Sequence, residues 1–161
     1  MANDSGNGRI FVHLRVHSAY SLLEGALPLE AIVKHAVRDG APAIAVTDTN
    51  NLFGALEFAQ KAVKDGVQPL VGCQIDVSFG DEGETARQGR QRASALLYPL
   101  VLFAATAAGY SRLTALVSRA YMDTPSGEAV HVPFGWLEAD TDGLICLSGG
   151  ERGPLGAALA S

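Results

Sequence analysis

AIAVTDTNNLFGALEFAQKAVKDGVQPLVGCQIDV, residues Ala43–Val77, carries one full cycle of the rhythm that decides the fold. Ala43 to Thr47 is a short apolar run of the kind that forms a buried strand. Leu52 to Asp65 places Leu52, Leu56, Ala59 and Val63 at helical spacing and stops at Gly66, which predicts a helix closed by a glycine. Pro69 to Val77 returns to strand character. Strand, helix and strand in ~30 residues make a βαβ unit, whose right-handed crossover favours parallel strands.

The same rhythm extends in both directions. Upstream, Pro28 to Asp39 puts Leu29, Ile32, Val33, Ala36 and Val37 on one helical stripe ending at Gly40. Arg9 to Val16 alternates with a period of two, Ile10, Val12, Leu14 and Val16 on one side and Phe11, His13, Arg15 and His17 on the other, which predicts a first strand. Downstream, Leu96 to Ala105 reads as a strand and Tyr110 to Met122 as a helix turning Leu113, Leu116, Val117 and Ala120 inward. Asp123 to Asp142 is irregular, with short ordered pieces at Val130–Val132 and Phe134–Leu137. Gly143 to Leu147 is a last strand, followed by a glycine turn and a helix from Pro154. Met1 to Gly8 is small and polar, a loose tail. Gly80 to Ser94 mixes both charges without apolar periodicity and reads as an exposed loop; its Arg87, Arg90 and Arg92 stand among carboxylates and build no net basic patch. The expected class is α/β, with mainly parallel strands in an open sheet or part of a barrel.

Composition narrows the function. At 161 residues, with 48% apolar and 18% charged residues, the chain can bury a core and is not wholesale disordered. A net charge of -5 argues against a surface that grips nucleic acid by displacing counterions. Two cysteines, Cys73 and Cys146, make neither a disulfide framework nor a four-thiolate zinc site, so a reducing, cytoplasmic compartment is expected. No run approaches the ~20 apolar residues that span a bilayer, and no membrane association is expected.

In α/β folds functional groups gather at the carboxyl ends of strands. Those ends are read here as Arg15–Glu24, Asp48–Asn51, Cys73–Asp76 and Ser148–Arg152. His13, Arg15 and His17 share one face, and imidazoles at that spacing can converge on a metal with help from Asp48, Gln74 or Asp76. Arg15, however, brings a permanent cation to that place, and Gln74 and Thr49 are weak ligands. The competing reading is a polar cluster satisfied by hydrogen bonds and an ion pair. Asp48 before Thr49 and Asn50 has the look of a turn or cap residue. His35 reads as solvated beside Glu30 and Lys34, His131 has no evident partner, and Cys73 reads as a buried core thiol. SGGERG, Ser148–Gly153, lacks the Lys-Ser/Thr ending of a P-loop and reads as a tight turn.

Five blocks carry a more specific likeness: FVHLRVHSAYSLLEGA (Phe11–Ala26), AVTDTNNLFG (Ala45–Gly54), PLVGCQIDV (Pro69–Val77), LVLFAATAAGYSRLTALVSRAYM (Leu100–Met122) and GLICLSGGERG (Gly143–Gly153). In this order they resemble the PHP (polymerase and histidinol phosphatase) domains at the N-terminus of bacterial DNA polymerase III alpha subunits. The resemblance implies a distorted (β/α) barrel. This chain would supply its N-terminal portion, about five βα units over residues 9–161, incomplete at the C-terminus. Metal-binding members hold a metal cluster for phosphoester hydrolysis at their strand ends. Against their motifs, Arg15 replaces the first His of H-x-H while His17 keeps the second, and Glu24 keeps the acid before a glycine. Thr49 replaces the His of T-D-H beside a retained Asp48. Gln74 replaces a Glu, Pro99 a His and Gly150 a Cys.

The resemblance therefore implies a vestigial pocket of Arg15, His17, Glu24, Asp48, Thr49, Gln74, Pro99 and Gly150, with no catalytic residue, no metal and no cofactor in this segment. Glu to Gln removes a negative charge and His to Arg adds a positive one, so the Arg15 guanidinium is expected to fill the metals' space and pair with Glu24 or Asp48. The parent of such a domain is a DNA-directed DNA polymerase using Mg2+, with its catalytic carboxylates far downstream. The implied partners are the rest of the polymerase subunit, the proofreading exonuclease (epsilon) subunit and other replicase subunits, with DNA reached through the parent. The alternatives are a metal-dependent phosphoesterase, as nuclease or phosphatase, and a free-standing binding module.

Overall fold

The computed structural model describes residues 11–80 and 97–160. The expected tail at 1–8 and all but the first residue of the expected loop at 80–94 lie outside the described residues. The chain divides into two units, residues 11–46 with 53–71 and residues 47–52 with 72–160.

In the first unit, α1 (Leu29–Arg38) buries Leu29, Ile32, Val33 and Ala36, and Val37 stays exposed. Glu30 in its first turn and Arg38 in its last suit the helix dipole. Its end is a Schellman closure: Ala41 N–H donates to Ala36 O (2.9 Å) and Gly40 N–H to Val37 O (3.1 Å), with Gly40 at φ +66. Next come the first residues of β1 (Ala43–Thr49), then α2 (Ala55–Lys64), which ends the same way at Gly66 (φ +77), Val67 N–H reaching Ala62 O at 2.9 Å. The core joins Leu29, Ile32, Val33 and Ala36 to Ile44, Val46, Phe58, Ala62 and Val67.

Two expectations change here. The inward stripe of α2 is Ala55, Phe58 and Ala62, while Leu56 and Val63 face solvent and Leu52 precedes the helix. Both stripes have helical spacing. Phe58 buries the largest side chain of the helix, with Ala55 and Ala62 buried beside it. The expected first strand is not laddered over its described part: residues 11–17 are irregular, although Ala45 N–H donates to His13 O at 3.0 Å. Val16 packs against the core, whereas Leu14 is exposed.

The second unit contains the end of β2 (Gln68–Ser78), β3 (Leu97–Ala104), α3 (Ala107–Asp123), β4 (Val132–Pro133), α4 (Phe134–Ala139), β5 (Leu144–Leu147), a 3-10 turn (Gly150–Arg152) and α5 (Pro154–Ala160). The sheet runs β1-β2-β3-β5, with β4 against the end of β2. The α/β class stands, and the sheet is mixed: β2 pairs with β4 in parallel, but β2–β3 and β3–β5 are antiparallel. The sequence between β2 and β3 has no apolar periodicity from which a crossover helix could be built, so an antiparallel return is the available connection. Cys73, Ile75 and Val77 alternate onto one face beside Leu102 and Leu100, their register neighbours being Leu102, Leu100 and Tyr98. Leu113 and Ala120 of α3, with Val132 and Leu137, cover that face. Thr106 caps α3 by accepting Gly109 N–H at 3.0 Å. Among the described residues no helix is long and apolar enough to cross a membrane.

Candidate functional site

The opposite face of β2 carries the polar side chains Gln74 and Asp76. Gln74 lies across from Val101 and Asp76 across from Pro99, so Gln74, Asp76 and Pro99 share that face. Gln74 is buried, and its Nε2 donates to Thr49 Oγ1 at 3.3 Å. Two positions of the vestigial pocket thus meet, a neutral amide against a neutral hydroxyl. Cys73–Asp76 was expected at a strand end; it lies inside β2, because the ladder continues through Ser78 opposite Leu97. Pro99 lies within β3, inside the stretch read as a strand.

Asp48 sits near the end of β1 and is buried, its carbonyl accepting the Cys73 thiol at 3.2 Å. The turn after it is organised by Asn50, a residue the motifs did not single out. Its backbone is left-handed (φ 52) and its N–H donates to Gln74 O at 2.7 Å. Its side-chain Nδ2 reaches Val130 O at 3.1 Å and Asp76 Oδ2 at 3.4 Å, while Oδ1 accepts Asp76 N–H at 3.3 Å. The signal was present in sequence: asparagine tolerates this conformation, and two of them follow the strand. Ser148–Gly153 is the tight turn expected, with Gly149 at φ +78 and Gly150 at φ +63. A Cβ on Gly149 would collide with the Pro99 carbonyl, so glycine there permits close backbone approach.

In the first unit, Arg15 is exposed, and His17 and Glu24 are brought together, His17 Nδ1 lying 3.1 Å from Glu24 Oε2. His17 Nε2 is buried without a hydrogen-bond partner. A carboxylate on one ring nitrogen with the other left open is the posture of a metal-ligating histidine. A resident metal needs three or four such donors, and among the described residues no three His, Cys, Asp or Glu are grouped to hold one. Among the described residues, then, the donors at His17 and Glu24 do not by themselves make a metal cluster. Burial pushes the Cys73 thiol up to about 12, which keeps it protonated and inert near neutrality. His131, which had no evident partner, has its Nδ1 2.8 Å from Ala129 O, and His35 is exposed as expected.

A mixed sheet with helices, and with polar side chains meeting where β1 ends beside β2, defines a domain of the α/β class. A family model described as PHP domain matches residues 13–161, and the chain belongs to that family. Among curated relatives, DNA polymerase III subunit alpha of Caulobacter vibrioides is 42% identical over 161 residues, 100% of this chain and 13% of the relative. The same subunit of Vibrio cholerae is 37% identical over 155 residues (92% of this chain, 12% of the relative). An error-prone DNA polymerase of Symbiobacterium thermophilum is 34% identical over 160 residues (90% and 13%). The chain thus spans about an eighth of the length of these relatives. Among solved structures, an amidohydrolase from Chromobacterium violaceum with bound sulfate and no metal superposes with a TM-score of 0.50 at 23% identity, covering 69% of this chain and 33% of that one; the likeness concerns the fold.

Proposed function

We propose that this chain is the N-terminal PHP portion of a replicative DNA polymerase of the III alpha type. In this reading it is a non-catalytic scaffold that packs on the polymerase body and docks the proofreading exonuclease subunit. The relatives' names and their identity across this chain support the parent's identity. Nucleotidyl transfer with Mg2+ then belongs to polypeptide beyond this segment, in the cytoplasm, and DNA is met through the parent. One observation carries the non-catalytic part: Gln74 and Thr49, which stand where the motifs have a carboxylate and an imidazole, bond to each other as neutral groups. Arg15 completes the reading by supplying a fixed cation where the first histidine of the motif would stand.

The phosphoesterase reading is favoured by one observation, the histidine posture of His17 with its open Nε2. The two separate cleanly. Protein purified with and without Mn2+, Zn2+ and Fe2+ is assayed for bound metal by mass spectrometry and for p-nitrophenyl phosphate hydrolysis. Substoichiometric metal and no turnover are expected. Stoichiometric metal with turnover that disappears in His17→Ala would replace the scaffold reading by the enzymatic one. Docking is tested by gel filtration with the proofreading exonuclease subunit of Caulobacter vibrioides, where co-elution is expected.

A further inference from the structure

We draw no further inference here: the strongest candidate, the exposed aromatic cluster in which Phe79 at the end of β2 stacks on Phe134 of α4 and meets Tyr98 of β3 edge-on, carries nothing because nothing in the structure shows what covers it.

Discussion

At Asn50 one residue meets two demands, a left-handed backbone and an amide that ties Asp76 and Val130 to the end of β1. Substitutions separate them. Asn50→Gly keeps the backbone and loses the ties, and is expected to cost about 1–2 kcal/mol. Asn50→Val loses both and is expected to cost about 2–4 kcal/mol, because a β-branched residue is strained there. Urea unfolding should rank wild type above Gly above Val; equal loss for the two would show that only the side-chain bonds matter. The cysteines offer a second check. Cys146 is exposed, though partial burial raises its thiol somewhat; Cys73 is buried and raised to about 12. A thiol reagent at pH 7.5 should modify Cys146 in the folded protein and reach Cys73 only after denaturation. The folded thiol of Cys73 ionises later than the ~8.5 of a free one, so its effect on stability is nil near neutrality and grows destabilising between about pH 9 and 12, as the unfolded chain alone loses the proton. Cys73→Ala should flatten that alkaline decline.

Helix α2 shows how far apolar spacing can be trusted. Leu56 and Val63 satisfy a helical stripe as well as Phe58 and Ala62 do, and only the packed structure chooses between them. Phe58→Ala is expected to cost about 3–5 kcal/mol, the range for emptying a buried aromatic site, and Leu56→Ala less than about 0.5 kcal/mol. The reverse order in denaturant titrations would restore the stripe read from sequence. Helix ends were more legible, since Gly40 and Gly66 stand where a left-handed closure needs them. Strand direction was less so. Periodicity marks a strand but not its neighbour, and β2–β3 pairing was recoverable only from the helix-poor stretch between them. Strand β5 ends the sheet order with Ile145 54% exposed and no charge or proline among Leu144–Leu147. An uncharged edge invites pairing, so Ile145→Lys should lower light scattering at high concentration, and unchanged scattering would clear this edge.

For the molecule as a whole, alternating strand and helix made the α/β class readable, and ordered motif blocks made the family readable. The contacts were not. Nothing in HLRVHS says that His17 takes Glu24, or in GCQID that Gln74 turns to Thr49, because such pairings depend on burial and rotamers that spacing does not encode. Net charge does transfer directly to behaviour: at -5 the isolated chain should give no anisotropy change with a fluorescent 30-nucleotide single strand at about 50 mM salt, and saturable binding would contradict the reading of DNA contact through the parent. The division of the chain has a practical sequel. Residues 47–52 of one unit are inserted in sequence between the two parts of the other, and β1 and β2 each run from one unit into the next. No single cut liberates either half intact. Nested deletions from either terminus should therefore yield insoluble products well before they reach a boundary, and mapping this domain's functions will need point substitutions or circular permutation.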